Sequence, residues 1–405
     1  MSALRKTGSV RVLYVGSSSP CGRAFGSQLR AKNILDILHR FTNVSLVLVS
    51  VKDYEPSILQ KTAEHYDLKA TFRLVPRRLG WRDRISVQVD PSNLYTHSFR
   101  FSDADRARFL ALAEGYDLIW FYGVRNPNAL EIQRLKQATV LDTEDLLSLY
   151  HASAAKKGNF LHRLMERRRS RLWAKREQRF LDRFSALCVC SDDDKKYLGA
   201  SEQIHVVPNG FESVTNPVVH ESPKVPTIGF VGLLTYEPNR EGLIWFLEKV
   251  WPLVLKKVPT ARCRIAGQGS TELAGAFGEQ VERIGWLEDL AREMAMWSLT
   301  IVPVHVGGGT RVKIATAFSH KCPVVSTTLG AYGYDLVSGR EILLADRAED
   351  FADACVKLLL NPSLGAAQAE TALVAFNQKW SWDAIAPRVA AVVESARRRN
   401  DLEPR

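Results

Sequence analysis

The chain of 405 residues is longer than one ordinary hydrophobic core supports, so two domains are expected. Its hydrophobic content of 46% is that of a soluble protein, no run approaches the roughly 18 apolar residues of a spanning helix, and no signal-peptide stretch opens the chain. The formal charge of +11 is concentrated: residues 1–216 hold 34 Lys and Arg against 23 Asp and Glu, residues 217–405 hold 21 of each, and residues 155–184 alone hold 11 against 3. So local an excess points to an anionic surface as partner. Six scattered cysteines without a CxxC pair read as buried thiols in a reducing cytoplasm rather than disulfides or a zinc site.

In chain order, 10–16 (VRVLYVG) is a nearly continuous apolar run, as a buried parallel strand requires. A turn-rich loop follows, then a helix over about 24–40. Further strands are expected at 44–51, 71–75, 117–122, 139–142 and 186–191, separated by helical stretches. That alternation predicts an α/β fold with a doubly wound parallel sheet, whose ligands gather at the carboxyl ends of the strands. Residues 159–184 predict one long basic helix. Leu161, Met165, Leu172, Trp173, Phe180 and Phe184 lie along one broad side and are assigned mostly to core, beside a ridge of Arg163, Arg167, Arg171 and Lys175. The polar, proline-containing stretch 220–226 reads as a linker.

A second series begins with a strand at 227–231 and a helix over 240–255, for which Asn239 is a candidate cap. Strands are expected at 261–266, 299–304, 323–326 and 342–345, with a final helix near 383–396. Within this half, 301–330 (IVPVHVGGGTRVKIATAFSHKCPVVSTTLG) carries the most chemistry. Gly307, Gly308 and Gly309 sit between a strand and a helix, where bare backbone N–H groups favour an anion. Arg311 and Lys313 add two positive charges on the first helical turn, suited to a phosphate or diphosphate. The pattern is neither GxxxxGK[ST] nor GxGxxG, so an ATPase loop or a dinucleotide fingerprint is not supported.

GGGTRVKI followed by KCPVVSTTLG resembles the donor-binding region of retaining GT-B glycosyltransferases, the large bacterial group acting in cell-surface polysaccharide and glycolipid synthesis. GFVGLLTYEPN (229–239), RIAGQG (264–269), VERIGWLEDL (281–290) and WSW (380–382) occur in that group's order, and PNG (208–210) is similar to its turn near the hinge. The resemblance covers 226–396 and is thinner before it. It implies two Rossmann-like domains facing across a cleft: residues 1–218 on the acceptor side, 219–382 binding a nucleotide-sugar, and 383–405 crossing back. The implied donor contacts are Gly232, Gly267, Trp286, Leu287, Gly307, Gly308, Gly309, Thr310, Arg311, Lys313 and Thr316, with Arg240 a weaker candidate. No metal or other cofactor is expected, the two cations instead stabilising the departing diphosphate.

Two departures from the group stand out. A glutamate that commonly grips the ribose is replaced by Thr316, whose hydroxyl is uncharged and shorter. A His-Asp pair common after a first-domain strand is absent, leaving Glu144 and Asp145 as the nearest carboxylates for acid–base work, with Asp145 also able to cap a helix. On the acceptor side, Gly22 and Gly26 with Arg30 resemble a glycine-arginine arrangement seen in part of the group. His151 and His305 read as structural.

The expected activity is transfer of a sugar from a nucleotide-sugar to a glycan or lipid-linked acceptor; a GT-B nucleotide-sugar epimerase and a non-catalytic nucleic-acid-binding protein are the alternatives. The last lacks a recognisable nucleic-acid motif, so no specific nucleic acid is expected. The cations Arg163, Arg167, Arg168, Arg169, Arg171 and Lys175 instead predict peripheral binding to the inner membrane face without insertion, each contributing about 1 kcal/mol near anionic lipid.

Overall fold

A computed structural model describes residues 10–22, 26–93, 98–131, 133–213, 225–275 and 277–402. The chain divides into two compact units, one of Met1–Pro208 with Ile385–Arg405 and one of Asn209–Ala384. The expected linker at 220–226 and the boundary at 218 fall largely outside the described residues.

The first unit contains β1 (Arg11–Gly16), β2 (Asn43–Ser50), β3 (Leu68–Arg73), a short ribbon of β4 (Val75–Pro76) and β5 (Phe99–Arg100), then β6 (Leu118–Tyr122), β7 (Ala138–Asp142), β8 (Ala186–Val189) and β9 (Ile204–Val206). Its seven-stranded sheet has the order β3-β2-β1-β6-β7-β8-β9, every pair parallel. Both faces of the central strands are buried, which is why LIWFY and ATVLD read as unbroken apolar runs.

The second unit contains β10 (Thr227–Val231), β11 (Arg262–Ala266), β12 (Val281–Gly285), β13 (Leu299–Val302), β14 (Val324–Ser326) and β15 (Leu343–Leu344), in the parallel order β12-β11-β10-β13-β14-β15. Residues alternate between two cores: Ile228, Phe230, Ile301 and Val325 belong to one, Val302, Val324 and Trp297 to the other. Gly229 lies under the Trp297 ring, where a Cβ would overlap the indole. In each sheet the winding reverses beside the first strand, between β1 and β6 and between β10 and β13. Ligands of doubly wound folds gather at the carboxyl ends of strands at such reversals.

Three expectations need correction. The long basic helix ends at Gln178, with a separate turn at Phe180–Arg183. Leu161 and Met165 are not core: they lie exposed, whereas Phe180 and Phe184 are buried. The helix presents carboxylates inward instead. Glu166 accepts a hydrogen bond from Arg169 (2.7 Å) and pairs with His151 (2.6 Å), and Glu177 accepts from the Ser148 N–H (3.0 Å) and hydroxyl. Finally, Asn239 lies inside the helix Glu237–Trp245 rather than before it.

Candidate functional site

In the second unit, the loops leaving β10, β11 and β12 are held together by backbone contacts, the closest of which only glycine allows. Gly232 N–H donates to Ala266 O (3.1 Å), and Gly267 N–H donates to Gly285 O (2.7 Å). Gly267 has φ +121°, and a Cβ there would collide with Gly232 O. The close approach brings Gly232 and Gly267 together and fixes the strand end that leads to Trp286. Trp286 is 44% exposed, and Leu287 packs partly on the core beneath.

Beside these loops runs the turn containing Gly307, Gly308 and Gly309, which opens the helix Val312–Ser319. The Arg311 side chain folds back over it: Nη1 donates to Gly308 O and to Gly309 O (3.2 Å), and a Cβ on Gly307 would meet Nη2 at 2.6 Å. The residue is 9% exposed, and its Nε and Nη2 are out of water with no hydrogen-bond partner among the described residues. Such donors carry a desolvation cost that an anion would relieve.

Two further side chains hold the turn. Asn209 Nδ2 donates to Thr310 Oγ1 (2.8 Å), and Tyr334 O–H donates to Arg311 O (3.0 Å). Lys313 Nζ donates to Asn239 Oδ1 (2.9 Å), lies 4.3 Å from the centre of the Phe230 ring, and comes within 3.0 Å of where a Gly232 Cβ would stand. Asn239 in turn donates to Leu233 O (3.0 Å). Burial, with the Arg311 charge adding to it, pulls the Lys313 ammonium down to about 7. A lysine with one neutral partner and a positive neighbour is short of negative charge.

Thr316 is buried, and its hydroxyl donates to Val312 O (3.0 Å) in its own helix, which leaves the oxygen only as an acceptor. Arg240 is exposed. His305 packs edge-on against Trp245 at 4.3 Å.

In the first unit, Arg30 is not a free acceptor ligand. It is 1% exposed, pairs with Asp142 at the end of β7 (2.9 Å), and donates to Val207 O (2.7 Å) and Pro208 O (3.1 Å). Burial by itself lowers the guanidinium's pKa, but the Asp142 carboxylate outweighs it and raises the group above the ordinary arginine range. Gly22 lies in the loop after β1, and Gly26 begins the helix Gly26–Phe41. After β7, Glu144 has φ +56° and its carbonyl accepts from the Cys190 thiol (2.8 Å). Its Oε1 is occluded without a hydrogen-bond partner among the described residues, and burial together with the nearby Asp145 charge pushes the carboxyl up to about 8. Strain and a raised pKa on one carboxyl mark a functional candidate.

Asn209, Phe230 and Tyr334 are supporting residues that sequence reasoning missed; only the PNG turn hinted at Asn209. The six cysteines are free, and five are buried.

Residues 225–361 match the family of glycosyl transferases group 1. An uncharacterized 44.6 kDa protein in the cps region of Klebsiella pneumoniae is 31% identical over 145 residues, 33% of this chain and 37% of that protein, so the match spans little more than a third of the relative's length. Among solved structures, sucrose-phosphate synthase of Thermosynechococcus elongatus superposes with a TM-score of 0.67 at 15% identity, over 95% of this chain and 98% of that one. Anabaena HepE in complex with UDP and glucose gives 0.65 at 14% over 95% and 100%. A point mutant of S. aureus TarM, in complex with fondaparinux, alpha-GlcNAc-glycerol and UDP, gives 0.68 at 10% over 95% and 99%. At these identities the likeness speaks for the fold, which is GT-B.

Proposed function

We propose, from the match of residues 225–361 to the glycosyl transferases group 1, that the chain transfers a sugar from a nucleoside-diphosphate sugar to a glycan or lipid-linked acceptor, with retention of anomeric configuration. One observation carries the donor assignment. At the winding reversal of the second unit, Arg311 offers two occluded nitrogens, Nε and Nη2, without a hydrogen-bond partner among the described residues, beside the Gly307, Gly308 and Gly309 turn, with Lys313 held next to Gly232. A diphosphate accepts from both cations and from the start of the Val312–Ser319 helix.

Charge on the leaving diphosphate grows as the glycosidic bond breaks, so donors fixed in advance stabilise the transition state more than the ground state. Arg311 and Lys313 fill that role without a divalent metal. Asn239 and Phe230 hold the ammonium, while Asn209 and Tyr334 keep the turn from yielding. Trp286, exposed at the mouth of the neighbouring loops, offers a ring face to the base. On the acceptor side, Glu144 with its pKa near 8 is protonated at neutral pH. It acts as a hydrogen-bond donor to a sugar oxygen, and Asp145 is the better candidate to take the acceptor proton.

A thermal-shift panel of UDP-, GDP- and ADP-sugars tests the reading. The correct donor at about 100 times its dissociation constant stabilises the protein by about 2.7 kcal/mol. No shift with any of them would overturn it. NMR of the product anomer then tests retention.

A further inference from the structure

The basic helix Phe160–Gln178 is mounted inside out. At 100° per residue, Phe160, Leu161, Leu164 and Met165 share an arc of about 160° with Arg167, Arg168, Arg171 and Lys175. All eight are exposed, the apolar four at 76%, 68%, 55% and 52%. Both acidic residues of the helix, Glu166 and Glu177, point the other way and are buried. A helix selected only for docking would bury its large apolar side chains and leave the carboxylates in water. Here the inner face is tied instead by the pairing of Glu166 with His151 and by the hydrogen bonds that Glu177 accepts from Ser148, and the outer face carries hydrophobes and cations without a single anion.

Two neighbours extend the surface. The helix Leu147–Ala154 and the residues after it leave a groove against the basic helix, lined by Lys156, Arg163, Arg167 and Arg171. A second helix, Trp81–Val89, has no buried residue and exposes Trp81, Ile85 and Val89 at four-residue spacing. It is joined to the basic helix by Arg176, which donates to Val87 O (2.6 Å) and Asp90 O (3.2 Å).

We propose that this face docks on an anionic lipid bilayer and that Phe160, Leu161, Leu164 and Met165 enter its interfacial layer. The arginines of the same arc and the groove then engage lipid phosphates. The layering carries the choice of occupant: hydrophobes fill the first two turns of one face and cations follow along it, the pattern of a helix lying in an interface. Cations alone would give attachment without insertion; the exposed apolar turns add an anchor that salt does not screen. No described helix is long and apolar enough to cross a membrane, so the contact is peripheral.

The test is sedimentation of the full-length protein with vesicles of phosphatidylcholine, with and without phosphatidylglycerol, at low and high salt. Wild type binds the anionic vesicles and retains part of that binding in high salt. The variant Phe160→Ser, Leu161→Ser, Leu164→Ser, Met165→Ser keeps every cation, yet its partition falls at least about tenfold and nothing salt-resistant remains. Arg163→Gln, Arg167→Gln, Arg171→Gln loses the preference for anionic lipid. Circular dichroism and melting stay unchanged in both, since the altered side chains are exposed. Serine-variant binding equal to wild type overturns the proposal, as does wild-type indifference to anionic lipid. Sedimentation velocity showing a wild-type dimer and a serine-variant monomer would overturn it too, making the face a self-association surface.

Discussion

Arg30 and Asp142 face each other at 2.9 Å with 1% and 0% of their side chains in water, joining the Gly26–Phe41 helix to the end of β7. The same guanidinium donates to Val207 O and Pro208 O, the last residues before the chain leaves the first unit. Its work is therefore structural. Arg30→Ala leaves a buried carboxylate alone and is expected to cost about 3–5 kcal/mol. Urea denaturation of the variant checks this, and a loss below about 1 kcal/mol contradicts it.

Lys313 gives donor binding a proton signature. With its pKa near 7 the residue is largely neutral at pH 8, and a bound diphosphate favours the charged form. Binding at pH 8 should take up a proton, and affinity should fall as pH rises through 7. Calorimetry in buffers of different ionisation enthalpy reads the uptake directly. Lys313→Met should abolish it.

Thr316 donates its hydroxyl proton to Val312 O, and at 4% exposure its remaining acceptor capacity is almost closed to a ligand. Thr316→Val should therefore leave nucleotide affinity within about twofold, because no charged contact is lost. Thr316→Glu places a carboxylate where little water reaches, and should lower the melting temperature rather than tighten binding. A tenfold loss in the valine variant would restore Thr316 as a ribose ligand.

Glu144 should leave a pH signature in stability. Its folded pKa, about 8, lies above the ordinary 4.5, so between those values the native state binds the extra proton. The contribution is fully present below about pH 4.5 and is lost as pH rises through 8. Glu144→Gln removes that dependence, so the stability difference between variant and wild type should grow in the variant's favour from pH 5 to pH 8. Parallel curves would show that the carboxyl does not titrate abnormally.

Much of the fold was legible because parallel strands buried on both faces must be apolar throughout, as in LIWFY and ATVLD. β12 escaped notice because its VERIG is an edge strand with half-exposed, partly charged residues. The glycine turn and its two cations were legible as a local pattern. Their partners were not: Asn239 is 74 residues from Lys313, and Tyr334 is 23 from Arg311, distances closed only by the sheet. Arg30 was misread for the same reason, its carboxylate lying 112 residues away. On the basic helix, periodicity located an apolar stripe but not which way it faces, which depended on His151 and Ser148 accommodating buried carboxylates.

The central claim, that the Gly307, Gly308 and Gly309 turn with Arg311 and Lys313 holds the donor diphosphate, is tested most directly by calorimetric titration. Wild type, Arg311→Ala and Lys313→Ala are each titrated with UDP, GDP and ADP. One of these should bind wild type, and each variant should bind it about 10- to 150-fold more weakly, the equivalent of about 1.5–3 kcal/mol for a charged hydrogen bond. Affinity unchanged in both variants would contradict the assignment.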